Sequence, residues 1–124
     1  MFNLHEFTTL ITELIQENIP ILVEGINDKK ALEHFNLTNI IMVAKHPLYK
    51  IIEHLERIDA TQVCILTDLD SAGKSWYKKL NHECSQRGIR INNKLRLYLM
   101  KKTSLHQIEN LPAFVRNQDT QRMF

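Results

Sequence analysis

Glycine and cysteine are both scarce in this chain of 124 residues, and each scarcity excludes a class of site. The three glycines, Gly25, Gly73 and Gly88, cannot build a glycine-rich loop that cradles a phosphate. The two cysteines, Cys64 and Cys84, are too few for a disulfide framework. Six histidines are present without the spacing of zinc ligands, so we expect no zinc site.

Long apolar runs are also missing. No run approaches the ~20 residues that a membrane-spanning helix requires. The N-terminal stretch, residues 1–14, has neither a basic region nor the apolar core of a signal peptide. We therefore expect a cytoplasmic protein that does not bind membranes, with a single domain over residues 1–124.

Charge is unevenly distributed, although the formal net charge is only +2. Between Ser71 and Lys102 the only acidic residue is Glu83. The basic residues of that segment are Lys74, Lys78, Lys79, Arg87, Arg90, Lys94, Arg96, Lys101 and Lys102. Such asymmetry favours a polyanionic partner such as nucleic acid, but a solvated helix face followed by a basic loop has the same pattern.

Short apolar runs indicate buried strands. They lie at residues 21–23, 40–43 and 63–66, and alternating leucines at 95–99 predict a fourth strand nearer an edge. Helices are predicted around these strands: a first one ending before Pro20, one capped by Asn27 or Asp28, one starting at His46–Pro47, a basic one from about Ala72 to Gln86 that stops at Gly88, and a last one near Phe114. This alternation predicts a Rossmann-like three-layer α/β fold with about four mainly parallel strands flanked by helices.

Three acidic residues follow two of the predicted strands. Glu24 ends the first strand, and Asp68 and Asp70 end the third. Open α/β sheets bind ligands at the carboxyl ends of their strands, and a flavodoxin-like order would place these two strands side by side. Carboxylates brought together repel one another unless a cation or proton intervenes, and oxygen-rich sites suit Mg²⁺ or Mn²⁺. The alternative is structural, since Asp70 or Ser71 could simply cap the basic helix.

Two motifs resemble those of the Toprim domain family. They are Val23-Glu24-Gly25-x-x-Asp28 and, about forty residues later, Thr67-Asp68-Leu69-Asp70-Ser71-Ala72-Gly73. Topoisomerases, bacterial-type primases, the ribonuclease that matures 5S ribosomal RNA and certain repair and phage-defence nucleases share this domain. The whole chain, including residues 39–50 and 108–115, is similar to the small stand-alone Toprim proteins of archaea.

The resemblance implies roles for the matching residues. Glu24 would be a general acid or base, or a metal-associated carboxylate, while Asp68 and Asp70 would hold Mg²⁺. Asp28 would assist them. The remaining matches, Gly25 and Gly73, would permit tight turns beside the acids.

The chain also departs from the larger members of the family. Ala72 stands where topoisomerases have a third acidic residue, and residues 101–106 are not acidic where primases carry a further acidic motif. We therefore expect no primer synthesis. We also expect no strand passage, because a chain of 124 residues is too short to include the tyrosine-bearing domain that topoisomerases use for it.

Two nucleic-acid functions remain open, beside a third in which the chain is a protein-interaction subunit whose acidic residues are vestigial. The leading hypothesis is Mg²⁺-dependent phosphodiester chemistry on RNA or DNA by a nuclease. The alternative is a nucleic-acid-binding module without turnover, as part of a larger complex with a protein partner or as a homodimer. In either case the predicted nucleic-acid contacts are Lys45, Lys50, Lys74 and Lys78.

Overall fold

The structure of the chain is a computed structural model that describes the backbone of residues 1–122 and the side chains of residues 1–118. The last two residues of the predicted domain lie outside this description. Within residues 1–122 there are four strands, six α-helices and one short 3₁₀ helix. The strands are β1 (Ile21–Val23), β2 (Ile40–Met42), β3 (Gln62–Ile65) and β4 (Arg90–Ile91). The helices are α1 (Leu4–Gln16), α2 (Ile26–Glu33), α3 (Leu48–Arg57), α4 (Ser71–Gln86), α5 (Lys94–Lys102), the 3₁₀ helix (Ile108–Asn110) and α6 (Leu111–Arg122).

The strands form one parallel sheet with the order β2-β1-β3-β4. Ile21 of β1 pairs with Ile40 of β2 on one side and with Cys64 of β3 on the other. Strand order therefore reverses between β1 and β3, which is where sheets of this kind form their binding crevice. The predicted side-by-side placement of the first and third strands is confirmed.

Helices cover both faces of the sheet and make the fold three-layered. On one face, Ile21 and Val23 of β1 pack with apolar side chains of α1, α2, α5 and α6. On the other face, Leu22 packs with side chains of α3 and α4. Because successive strand residues point to opposite faces, a nearly continuous apolar run such as 21–23 can supply both layers of the core. No helix in the described residues is long and apolar enough to cross a membrane.

The predicted strand at residues 95–99 is wrong. These residues belong to α5, and the fourth strand is the shorter β4. Leu95 and Leu99 are buried because they lie four positions apart on one helical face, whereas Leu97, on another face, is 48% exposed. The three leucines therefore fit a helix that turns two of them toward the core and the third toward solvent.

The start of α2 differs from the sequence prediction, whereas the end of α4 agrees with it. Helix α2 begins at Ile26 with Gly25 as its N-cap, two or three residues before the caps predicted at Asn27 or Asp28. Asp28 still contributes, since its carboxylate accepts a hydrogen bond from the Gly25 N–H at 3.1 Å. Helix α4 ends as predicted, because Gly88 has a φ of 75°, a left-handed conformation that favours glycine.

Candidate functional site

The carboxyl ends of β1 and β3 lie side by side, and a hydrogen bond joins them. Glu24 directly follows β1, and its Oε2 accepts from the backbone N–H of Asp68, 2.8 Å away, in the segment after β3. The two residues are 44 positions apart in the sequence. The strand pairing thus brings together two of the three acidic residues predicted to share a site.

Asp68 is also attached to the chain that follows α5. Its Oδ1 accepts from the Ile108 N–H at 2.9 Å, and the next residue, Leu69, donates its N–H to the carbonyl oxygen of His106 at 2.8 Å. The segment before the 3₁₀ helix therefore lies against the loop that carries Asp68. The acidic site is built from three separate parts of the chain.

Asp70 acts as the N-cap of α4. Its Oδ1 accepts from the Gly73 N–H at 2.9 Å, and its backbone is extended as N-caps require. The structural role considered for Asp70 is thus confirmed. It uses one carboxylate oxygen, and no N–H or O–H of residues 1–118 is recorded as a donor to the other oxygen.

Asp28 is buried at the start of α2, with only 8% of its surface exposed. Besides its bond from Gly25, it lies near the charges of Asp68 and Glu109. Glu109 belongs to the 3₁₀ helix and is an acidic neighbour that the sequence prediction missed. Only the chain fold brings it beside α2, so no local pattern identifies it.

Four acidic side chains are held in the same way, and we call them the acidic cluster: Glu24, Asp28, Asp68 and Asp70. Each accepts one hydrogen bond from a backbone N–H, donated respectively by Asp68, Gly25, Ile108 and Gly73. Backbone donors are fixed by the surrounding helices and strands, and no side-chain cation of residues 1–118 forms an ion pair with these carboxylates. In Glu24, Asp68 and Asp70 the second carboxylate oxygen accepts no hydrogen bond from another of the described residues and can bind a ligand, whereas Asp28 is also affected by the backbone N–H of Glu109.

Crowding and burial change the protonation of two members of this cluster. Burial raises the pKa of Glu24, and the charges of Asp68, Asp28 and Asp70 raise it further, against the lowering effect of the Asp68 N–H. Burial likewise raises the pKa of Asp28, and the charges of Asp68 and Glu109 raise it further, against the lowering effect of the Gly25 and Glu109 backbone N–H groups. A bound cation would relieve this repulsion, so both shifts indicate a place that favours a cation or a proton.

Gly73 allows α4 to start directly against Asp68. A Cβ built on Gly73 would overlap the carbonyl group of Asp68 and stand 2.7 Å from its Cα. The Thr67 hydroxyl donates to the Gly73 carbonyl oxygen at 2.7 Å across the same contact. Gly73 is therefore needed for close approach rather than for a turn. Gly25 is extended at φ −148°, and nothing lies within 4 Å of its built Cβ, so neither its backbone nor the space around it requires glycine.

Arg96 is a second residue that the sequence prediction missed. It lies on α5 and is only 4% exposed, beneath the end of β3. Its guanidinium donates to the carbonyl oxygens of Thr67 at 2.7 Å, Asp68 at 3.2 Å and Ile65 at 3.3 Å. Burial lowers the pKa of Arg96, whereas the charges of Glu24 and Asp68 oppose that change. The sequence treats Arg96 as one more member of the basic segment, because nothing local distinguishes it.

The four lysines predicted to contact nucleic acid are all exposed. Lys45 follows β2 next to Ala44, whose N–H donates to the Glu24 carbonyl oxygen at 3.0 Å. Lys74 lies in the first turn of α4, and Lys78 lies four residues further along the same helix. Lys50 lines an open groove of about 430 Å³ between β2 and α3. None of the four forms an ion pair with another of the described residues.

The acidic cluster offers oxygen ligands without forming a closed metal site. Within the described residues, no group of three or more histidine, cysteine, aspartate or glutamate side chains stands ready to hold a metal ion. Mg²⁺ does not require such a group, since it commonly uses one or two carboxylates and completes its shell with water and substrate phosphate. The hydrogen-bonded pair of Glu24 and Asp68 meets that lower requirement with oxygen ligands.

The cysteines offer no nucleophile. Cys64 and Cys84 are both buried free thiols. Burial raises the pKa of Cys64 to about 12 and that of Cys84 to about 11, so both remain protonated near neutral pH. Their predicted structural role agrees with this burial.

Comparisons with known proteins identify relatives along most of the chain. The chain is 34% identical over 102 residues to the UPF0292 protein MJ1624 of Methanocaldococcus jannaschii, and the match covers 80% of each protein. A solved structure of a protein from Aquifex aeolicus is also similar, with a TM-score of 0.78 and 32% identity, over 89% of this chain and 99% of that one. No protein-family model matches the chain. On the strength of the first match, the chain belongs to the UPF0292 family.

Proposed function

We propose that this protein is a Toprim-type enzyme that cleaves phosphodiester bonds in nucleic acid with the help of Mg²⁺ or Mn²⁺. The observation that carries the proposal is the acidic cluster at the strand-order reversal, where four carboxylates are held by backbone N–H groups. A cluster with this position and repulsion is suited to a cation and a phosphate.

Glu24 and Asp68 would hold the metal ion, and Asp70 would add the second oxygen that its capping bond leaves available. When bound, the ion would neutralise phosphate oxygens and activate a water molecule. Asp68 is suited to a fixed ligand role because its N–H and Oδ1 are already bound to Glu24 and Ile108. Its carboxylate therefore needs little rearrangement when a ligand arrives.

Glu24 is the residue best suited to move a proton. Its raised pKa brings it closer to the working range of a general acid or base than an ordinary carboxylate. Its Oε2 is bound to the Asp68 N–H, so Oε1 is the atom that would bind the metal ion or, where Asp68 and Asp70 alone hold that ion, carry the proton toward the leaving oxygen.

The lysines support a polyanionic substrate. Lys45 follows β2, Lys74 lies in the first turn of α4 after the Asp70 cap, and both are exposed without an ion-pair partner among the described residues. A phosphate backbone approaching four carboxylates meets repulsion, which these cations would offset. Lys50 and Lys78 would extend the contact along α3 and α4.

The test is cleavage of labelled single- and double-stranded RNA and DNA with Mg²⁺ or Mn²⁺. Asp68→Asn combined with Asp70→Asn, and separately Glu24→Gln, should each abolish cleavage, because both amides keep the hydrogen-bond acceptor but lose the charge. Glu33→Gln, an exposed position at the end of α2, is the matched control and should cleave like wild type. Equal cleavage by wild type and the double variant would refute the site.

The second candidate function is nucleic-acid binding without turnover. Two observations on the described residues favour it: the four predicted lysine contacts are exposed and form no ion pair, and no group of three side chains stands ready to bind a metal ion. Binding would then persist in EDTA and weaken with salt. Replacing Lys74 with alanine should reduce the slope of log affinity against log salt by about 0.7 to 0.9, the share of one phosphate contact.

A further inference from the structure

Arg96 is a buried cation that has no carboxylate in contact with it among the described residues. Instead its guanidinium donates to three backbone carbonyl oxygens at the end of β3, those of Ile65, Thr67 and Asp68. It also lies 3.3 Å from the Thr67 hydroxyl oxygen. Each of these acceptors belongs to the short segment that leads into the acidic cluster.

An aromatic ring fixes the other side of the guanidinium. The Arg96 Cζ stands 4.6 Å from the ring centre of Tyr77 on α4, at cation–π distance. The Tyr77 hydroxyl in turn donates to Asn93 at 2.8 Å, next to the start of α5. Arg96 is therefore held between α4, α5 and β3, and its planar donor group cannot turn without losing several contacts.

Burying a cation against neutral acceptors is unfavourable unless charge nearby compensates for it. The carboxylates that act on Arg96 through space are those of Glu24 and Asp68. An apolar side chain could fill the same volume without this penalty, but it would leave three carbonyl oxygens at the end of β3 without their donor. The position is thus explained by the site above it better than by packing.

We propose that Arg96 is the positioning residue of the acidic cluster, an inference that rests on the proposed function. It holds the Asp68 carbonyl, while Glu24 holds the Asp68 N–H and Ile108 holds the Asp68 carboxylate. Three independent anchors then fix Asp68 and, through it, Glu24. The positive charge below the cluster also offsets part of the repulsion among the carboxylates above it.

Two variants separate this role from simple packing. Arg96→Lys keeps the charge but loses the planar set of donors. Tyr77→Leu leaves Arg96 intact and removes the ring that orients it. The control is Leu99→Ala, which removes a fully buried side chain one turn away on α5 and destabilises the protein by packing alone.

The first measurement is amide hydrogen exchange at Asp68 and Leu69, relative to the Leu66 amide that bonds to Leu22 in the core of the sheet. In Arg96→Lys we expect the two loop amides to exchange about tenfold faster than this reference, since a hydrogen bond from a charged donor shifts a local equilibrium by about that factor. Tyr77→Leu should show a smaller change in the same amides. Leu99→Ala should accelerate loop and reference amides together.

The second measurement is Mn²⁺ affinity by electron paramagnetic resonance. Arg96→Lys should weaken binding by about tenfold or more, as substitutions of residues that orient metal ligands do, whereas Leu99→Ala should not. Unselective exchange in Arg96→Lys, or selective exchange with unchanged Mn²⁺ affinity, would overturn the proposal. If wild-type protein binds no Mn²⁺, the metal-dependent function fails, and the exchange result alone decides whether Arg96 positions the loop.

Discussion

Replacing Gly73 with alanine tests the close approach of α4 to the backbone of Asp68. The added Cβ would overlap the Asp68 carbonyl group, which is backbone and cannot rotate away as a side chain does. The start of α4 would therefore have to move from Asp68 by roughly an ångström or more to reach ordinary contact. Such a shift would stretch the bond from the Gly73 N–H to Asp70 and the bond from the Thr67 hydroxyl to the Gly73 carbonyl.

These losses give the expected magnitude. Overpacking costs about 1 to 3 kcal/mol, loss of an N-cap about 1 kcal/mol, and loss of one buried hydrogen bond about 1 kcal/mol. The sum is roughly 3 to 5 kcal/mol, against a total stability of about 5 to 15 kcal/mol for a domain. For a chain of this length the melting temperature should fall by roughly 12 to 20 °C.

Urea unfolding followed by circular dichroism measures this difference, with linear extrapolation to water. Gly25→Ala is the matched control, because its Cβ meets nothing within 4 Å and its φ of −148° suits alanine. We expect that variant to lose less than about 1 kcal/mol. If both variants have the same stability within about 1 kcal/mol, α4 does not start against Asp68 and the geometric account of the site is wrong.

Three further predictions concern charge, metal and helix α5. The pKa of Glu24 is raised in the folded state, so its contribution to stability is complete below the ordinary carboxyl pKa near 4.5 and is lost as pH rises through the raised pKa. In EDTA, Glu24→Gln should therefore be more stable than wild type at pH 7 but not at pH 4. Urea unfolding at both pH values measures this difference. Mg²⁺ at a hundred times its Kd should stabilise wild type by about 2.7 kcal/mol in thermal unfolding, and should not stabilise the variant that combines Asp68→Asn with Asp70→Asn. Leu99→Ala should cost about 2 to 5 kcal/mol and Leu97→Ala less than about 1 kcal/mol by chemical denaturation, whereas equal costs would contradict the helical assignment of α5.

The sheet and its acidic edge could be predicted because their signals are local. Short apolar runs bounded by turns are typical of buried parallel strands, and an acidic residue directly after such a run must lie at the carboxyl edge of the sheet. Glu24 and Asp68 were placed in this way, and the pairing of β1 with β3 brings them into contact. The strand order remained one choice among a few, selected by analogy with flavodoxin-like sheets.

The prediction of the fourth strand is wrong because the three leucines at 95, 97 and 99 fit both the two-residue period of a strand and the helical spacing of about four residues. Leu95 and Leu99 are also four residues apart, as one face of a helix requires. Composition offers the missing signal, since residues 94–102 contain no β-branched residue and are rich in leucine, lysine and arginine, which favour helices. The true strand, β4, contains one of the two isoleucines just before this segment.

Arg96 and Glu109 could not be predicted because their roles depend on contacts across long sequence separations. The hydrogen bonds of Arg96 reach back 28 to 31 residues. Glu109 acts on Asp28 only because the 3₁₀ helix packs against α2. A lone arginine in a basic segment and a lone glutamate near a proline carry no pattern that distinguishes them from solvated surface residues.

The placement of Arg96 shows how the stability of this fold and the geometry of the acidic cluster are connected. The segment from Thr67 to Gly73 follows β3 and includes the start of α4. It carries two carboxylates and accepts hydrogen bonds from a buried arginine. Anything that loosens this segment therefore weakens the fold and displaces the cluster together. Because the carboxylates are held by backbone N–H groups and by no cation in contact among the described residues, their repulsion would be relieved by a bound cation. That arrangement is what a site needs if a metal ion is to bind with the substrate rather than permanently.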